Sequence, residues 1–286
     1  MKNVFSAAAL LILLTAGAVY SDILLNLDKN DDSGQKYILV STKGEKQVQK
    51  DVYLVGTDQP NINRVVYIFH GYKPAGDSYQ QSPVYFIVNW KLSELSQKYG
   101  VLFVLPDNGA SVYPVTKIND PLSDMSMMNA LKKEIENHFK AAKIPLSIGF
   151  SAGVEGAMKF AILNDIPEIM AISGNYDLYH LPAGERAFHM KDFGPEKDVL
   201  EKENPITLLK KSPRTIYLFC EEKNAVNMAQ AQTLVDAALP NIKLIDLRSL
   251  GKGYKHDWNF LTSPGITRNL EKIISGDVEN LVTTQD

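Results

Sequence analysis

The stretch from Pro145 to Leu163 constrains the fold of this chain more than any other. A short apolar run, Pro145 to Phe150, leads into Gly149-Phe150-Ser151-Ala152-Gly153, and a helical pattern, Ala152 to Leu163, follows at once. A strand that becomes a helix across one residue forces that residue into a sharp, strained turn. Side chains two positions before and two after the apex would collide with neighbouring backbone, and glycine stands at both positions. The apex residue is a serine, and the amides opening the next helix aim at negative charge developing beside it. Residue frequencies alone would produce G-x-S-x-G in roughly one sequence of this length in ten. The strand before it and the helix after it therefore carry much of the weight.

The rest of the chain repeats the same alternation. Strand patterns fall at Tyr37 to Thr42, Val52 to Val55, Val65 to Phe69, Val101 to Leu105, Ile169 to Ser173, Thr215 to Cys220 and Ile242 to Leu247. Between them lie helical patterns: Met128, Leu131, Ile135 and Phe139 form one apolar stripe, and Val226 to Leu239 and Gly265 to Ile274 form two more helices. Strands alternating with helices predict an α/β fold, with a mostly parallel central sheet covered by helices on both faces. The two early strands predict an antiparallel edge. Residues 22–276 read as a single domain of this kind. The polar stretch Asp28 to Gln35 reads as a loop, and residues 277–286, which lack periodicity, as a flexible C-terminal tail. Residues 178–213 are long for one connection. They read either as an insertion walling a site at the sheet's C-terminal edge or as an ordinary surface excursion.

Charge and cysteine content exclude several function classes. The net charge is −3, and Lys and Arg are scattered, so nothing resembles the clustered cations that bind nucleic acid. With one cysteine, Cys220, and widely spaced histidines, there is no metal-ligand spacing. Gly251-x-Gly253 lacks the context of a dinucleotide site, so no cofactor is expected. Lys2, the apolar run Val4 to Val19 and the small residues around Ala16 to Ser21 have the form of a secretory signal peptide over residues 1–21. The apolar run is short for a membrane span, so a secreted or periplasmic product with no stable membrane insertion after cleavage is expected.

Two further segments complete a candidate catalytic set around Ser151. Phe69-His70-Gly71-Tyr72 follows the strongest strand, and the Tyr72 and Ala152 amides are placed to form an oxyanion hole. His70 reads as structural support under that loop. His256, in Lys255-His256-Asp257-Trp258, comes after the last strand and before the final helix, as expected of a general base. His138 reads as a surface residue, and His180 and His189 as residues of the long connection that line or decorate the cleft. Tyr113 and Trp258 are candidates to line a substrate pocket, with buried packing the competing role of Trp258.

The ordered set HGY, PDNG…VY, GFSAG, SGNYDL, NP and HDW resembles the α/β-hydrolase-fold esterases that include S-formylglutathione hydrolases and feruloyl esterases, from about Val65 to Leu270. The resemblance implies ester hydrolysis by a Ser-His-acid triad through an acyl-enzyme, without metal or organic cofactor, on a small-molecule or polysaccharide-linked ester. The sequence departs from that pattern at the acid. Glu221 stands where the family has glycine, and Asn224 where it has the catalytic Asp. Asn224 as a neutral acceptor, Glu222, another carboxylate such as Asp177, or no acid at all remain open. With no acid, the chain would be a weak hydrolase or a non-catalytic binding protein on the same shell. A thioesterase or peptidase on this fold is the other alternative.

Overall fold

The protein, as a computed structural model, is described over residues 26–31, 34–71, 83–107, 113–139, 144–193 and 197–283. These residues contain nine strands: β1 (Asn26–Asp31), β2 (Gly34–Lys43), β3 (Lys46–Val55), β4 (Arg64–Phe69), β5 (Val101–Asp107), β6 (Leu146–Phe150), β7 (Glu168–Ile172), β8 (Arg214–Phe219) and β9 (Ile242–Asp246). Ten α-helices accompany them. Before the serine come α1 (Pro83–Asn89), α2 (Leu92–Tyr99) and α3 (Asp124–Phe139). After it come α4 (Ala152–Leu163), α5 (Ala183–Phe193), α6 (Lys197–Glu203), α7 (Pro205–Leu209), α8 (Ala225–Asp236), α9 (Trp258–Leu261) and α10 (Pro264–Ser275).

One sheet holds all nine strands in the order β1-β2-β3-β5-β4-β6-β7-β8-β9. The first three form an antiparallel meander, and β3 meets β5 antiparallel. Every pairing from β5 through β9 is parallel. All six residues of β4 and all five of β6 are buried, which explains their near-continuous apolar sequences. Alternation splits β4 between two cores: Val65, Tyr67 and Phe69 face one, Val66 and Ile68 the other. The first core is filled by α3, α4 and α8, through residues such as Leu131, Phe160 and Leu234. The second is filled by α1, α9 and α10, through Phe86, Phe260 and Ile273.

The strand order places the site. From β4 the chain passes to β5 on one side, and β6 then pairs with β4 on the other. At such a reversal the loops leaving adjacent strands diverge and open a crevice at the strands' C-terminal ends. The segments that leave β4 and β6 there are His70-Gly71 and Ser151.

Two segments differ from the sequence expectation. The polar stretch that reads as a loop is largely the edge strand β1 and the start of β2, with Asn30 opposite Gln35. Its ladder uses backbone groups, which polar residues carry as well as apolar ones, and polar side chains suit a sheet edge. Residues 277–283, expected to belong to the tail, dock against the domain. The Asn269 side chain donates to Val282 O at 2.9 Å and accepts from Val282 N at 2.7 Å, while Val278, Leu281 and Val282 pack on the second core. A buried amide that pairs both backbone groups of one residue leaves no signal in periodicity. Residues 284–286 and the 1–21 segment lie outside the described residues. Among those described, no helix is long and apolar enough to cross a membrane.

Candidate active site

Ser151 is the single residue between β6 and α4, at φ 54° and ψ −126°. For a side chain other than glycine this backbone costs on the order of 1–3 kcal/mol, which the surrounding packing must hold in place. The two flanking glycines show how tight that packing is. A Cβ on Gly149 would lie 2.4 Å from Val154 Cα, and one on Gly153 would lie 2.2 Å from Phe69 O. The elbow thus wedges against the end of β4, and a Cβ on Gly71 would come within 3.1 Å of the Ser151 Cβ. Ala152 opens α4, with its amide at the positive end of that helix. Tyr72, expected to supply the second amide, lies outside the described residues.

His256 reaches the serine from the far side. Its Nε2 is 3.1 Å from Ser151 Oγ, and its ring stacks on Phe150 with centroids 4.9 Å apart and planes 20° apart. Its Nδ1 is 2.9 Å from Glu221 Oε1. Glu221 is wholly buried just past the end of β8. The same oxygen accepts from Asn227 Nδ2 at 2.7 Å, and the other oxygen accepts from the Ser173 hydroxyl. Burial pushes the Glu221 carboxyl up, but hydrogen bonds from His256 and Ser173, with the adjacent imidazole, outweigh it and hold the group below the usual carboxylate value. Ser173 has its own left-handed backbone, φ 57°, at the end of β7.

The histidine loop is tied to the carboxylate by backbone. Glu222 N donates to Gly251 O at 2.9 Å, and Lys223 N donates to Tyr254 O at 3.0 Å. A Cβ on Gly251 would lie 1.7 Å from Cys220 O, so only glycine lets the loop cross the end of β8 this closely.

The structure corrects the contacts expected of the acid. The Asn224 oxygen accepts from Val226 N and Asn227 N at 3.1 Å each, capping α8 instead of meeting His256. Glu222 is exposed, and its carboxylate accepts from Gly253 N at 2.7 Å. Asp177 binds Tyr179 N, His180 and Asn204. The end of β8 is the reason: Glu221 is still buried just past the strand, whereas Glu222 lies in the exposed turn that follows. A signal for Glu221 was present in the sequence. A carboxylate directly after the apolar run Thr215 to Cys220 has no inexpensive place unless it is paired.

The two residues expected to line a pocket are corrected as well. Tyr113 is buried in the first core, edge-on to Phe69 with centroids 5.0 Å apart, and its ring fills the space beside Gly156. Trp258 packs against Tyr85, Phe86 and Phe150, behind His256. Neither is among the described residues that line the cleft over Ser151. His70 is buried just past the end of β4, with Nδ1 2.6 Å from Gly71 O and Nε2 3.4 Å from Asp107. His138 lies exposed on α3, and His180 is exposed beside Asp177.

Among the described residues the cleft over Ser151 has a volume of about 290 Å³ and is walled by Asn175, Glu185, His189, Asn224 and Asn227. Glu185 and His189 belong to α5, so the connection from 178 to 213 does wall the site. It is anchored by buried charge. Lys159 of α4 bonds Glu155 and also Glu203 of α6, the latter at 2.7 Å, and His189 Nδ1 lies 2.9 Å from Glu155. No group of three His, Cys, Asp or Glu among the described residues is placed to hold a metal ion.

No family model matches the sequence, and no curated protein matches it. Solved structures do. The chain is similar to an S-formylglutathione hydrolase from Agrobacterium tumefaciens, at 15% identity and TM-score 0.65, with 90% of this chain and 100% of that one covered. A fluorophosphonate-binding serine hydrolase of Staphylococcus aureus matches at 12% identity and TM-score 0.60, covering 86% and 98%. A carboxyl esterase from the fungus Tuber melanosporum matches at 16% and 0.57, covering 90% and 89%. At these identities the likeness is one of architecture, and with the strand order above it establishes that the chain has the α/β-hydrolase fold.

Proposed function

We propose that the protein is a serine hydrolase acting on carboxylic esters, with Ser151, His256 and Glu221 as its triad. The observation that carries this is the continuous hydrogen-bonded line from Ser151 Oγ through His256 to a buried carboxylate, at 3.1 and 2.9 Å. Such a line is the geometry of an activated nucleophile. Ser151 Oγ attacks the acyl carbon while His256 Nε2 takes its proton. Glu221 holds Nδ1–H and offsets the charge of the resulting imidazolium. The Ala152 amide, with that of Tyr72, binds the oxyanion. The leaving alcohol takes the proton from His256, and water, deprotonated by the same imidazole, releases the acid.

The alternative of a binding protein on a hydrolase shell rested on a missing acid, and Glu221 removes its motive. Labelling with a fluorophosphonate probe and turnover of 4-nitrophenyl acetate, each with Ser151→Ala as control, test the reading. Ser151-dependent labelling and hydrolysis are expected, and absence of both refutes it. Residues 1–21 are proposed as a secretory signal peptide, supported by their charge and apolar run. Mass spectrometry of the protein secreted from an expression host should find a mature N-terminus near residue 22; an intact N-terminus in the cytoplasm overturns this part.

A further inference from the structure

The cleft that holds the nucleophile is lined by two amides, each held at one end by the fold. Asn175 follows β7 and Asn224 precedes α8, and both line the cleft that holds Ser151 and His256. His189 Nδ1 lies 2.9 Å from the Glu155 carboxylate. Its Nε2 lies 3.3 Å from Asn175 Nδ2. The Asn175 nitrogen therefore faces the imidazole, and its oxygen is turned to the cleft. At Asn224 the polarity is reversed. Its oxygen is committed to the Val226 and Asn227 amides, so its NH2 group is what the cleft meets.

The arrangement is stiff. Glu155, Lys159 and Glu203 are fully buried, and the Glu203 carboxylate also accepts from the Val115 and Thr116 amides. His189 is therefore fixed from behind, and Asn175 with it. A hydroxyl group offers one donor and one acceptor, which complement an oriented acceptor and an oriented donor. An alkyl chain offers neither, and it would strip water from both amides without replacing it.

We infer that this lining is a recognition site for a hydroxyl-bearing arm of the ester, with Asn175 and Asn224 as the residues that set specificity. Hydroxylated esters are then the substrate class, in preference to plain alkyl esters. The inference rests on the serine-hydrolase reading of the same cleft.

Two matched pairs test it and separate the acyl from the alcohol arm. The acyl pair is 4-nitrophenyl butyrate against 4-nitrophenyl 3-hydroxybutyrate, and the alcohol pair is propyl acetate against glyceryl monoacetate. In at least one pair kcat/KM should favour the hydroxylated ester by about tenfold, the usual scale for leaving a polar group unpaired. Asn224→Asp keeps the cap oxygen but removes the donor, and Asn175→Leu removes the acceptor. Each should bring the ratio towards one, and Asn224→Asp serves if Asn175→Leu does not fold. Ratios within twofold in both pairs, or a preference that survives in Asn224→Asp, overturn the inference while leaving the hydrolase reading intact. No Ser151-dependent turnover of any of the four esters overturns both.

Discussion

Glu221→Gln isolates the contribution of the carboxylate. Glutamine has the same shape, and its carbonyl oxygen can occupy the Oε1 position, which accepts from His256 Nδ1 at 2.9 Å and Asn227 Nδ2 at 2.7 Å. Its NH2 group then meets Ser173, whose hydroxyl turns to accept. Contacts, and with them the tautomer of His256, are preserved, and only the charge is lost. An imidazolium and a carboxylate with charge centres about 4 Å apart interact by about 4 kcal/mol at an effective dielectric constant near 20. That energy is realised only when His256 becomes charged, so it is lost from the transition state and not from substrate binding. At about 1.4 kcal/mol per decade, kcat should fall about 10³-fold. Glu221 does not line the cleft, so KM should change by less than about threefold. This loss is below the roughly 10⁴-fold of an Asp-to-Asn change that also imposes the wrong tautomer. Stopped-flow hydrolysis of 4-nitrophenyl acetate measures the acylation burst and the steady state. Glu222→Ala, which removes an exposed carboxylate, is the control. A Glu221→Gln enzyme within threefold of the parent kcat, or a larger loss in Glu222→Ala, refutes Glu221 as the acid.

Other perturbations have outcomes set by the same contacts. Gly153→Ala drives a Cβ into Phe69 O and His70 O, both backbone atoms that cannot swing aside; Ser151-dependent labelling should vanish and the thermal midpoint should drop, whereas a labelled, stable variant contradicts the elbow packing. Lys159→Met leaves Glu155 and Glu203 buried without their cation, and urea unfolding should show a loss of about 3–5 kcal/mol. The Glu155 and Glu221 carboxyls are both held below their ordinary value of 4.5, since burial raises each but the neighbouring cation, imidazole and hydrogen bonds outweigh it. Their contribution to stability is fully present above about pH 4.5 and is lost as pH falls through the depressed folded values. The thermal midpoint should therefore fall steeply below that pH, and less steeply in Glu221→Gln. Asn269→Ala removes both bonds to Val282, so limited proteolysis should nick residues 277–283 faster without loss of esterase activity.

Periodicity carried the architecture because it reports which faces are buried. The apolar runs around Val65, Val101, Leu146, Ile169 and Ile216 became adjacent strands of one sheet, and the stripe from Met128 to Ile135 became the buried face of α3. Edge strand β1 and the docked segment 277–283 were not legible, because backbone ladders and a single buried amide leave no apolar pattern. Ser151 and His256 were legible for a different reason. Steric demand puts glycine at fixed spacing around the elbow, and chain order puts the histidine after the last strand. The acid partner obeys no such local rule. Asn224, Glu222 and Glu221 lie within four positions of one another, and sequence alone ranked the first two ahead. Where each residue lies past the end of β8 decided among them. The Gly251 loop pressed on Cys220 O, and Ser173 and Asn227 converged from two other elements on the carboxylate that faced inward. A nucleophile's turn is written into neighbouring residues. A hydrogen bond between residues 35 apart depends on how strands, helix and loop pack together, and only the tertiary structure holds that information.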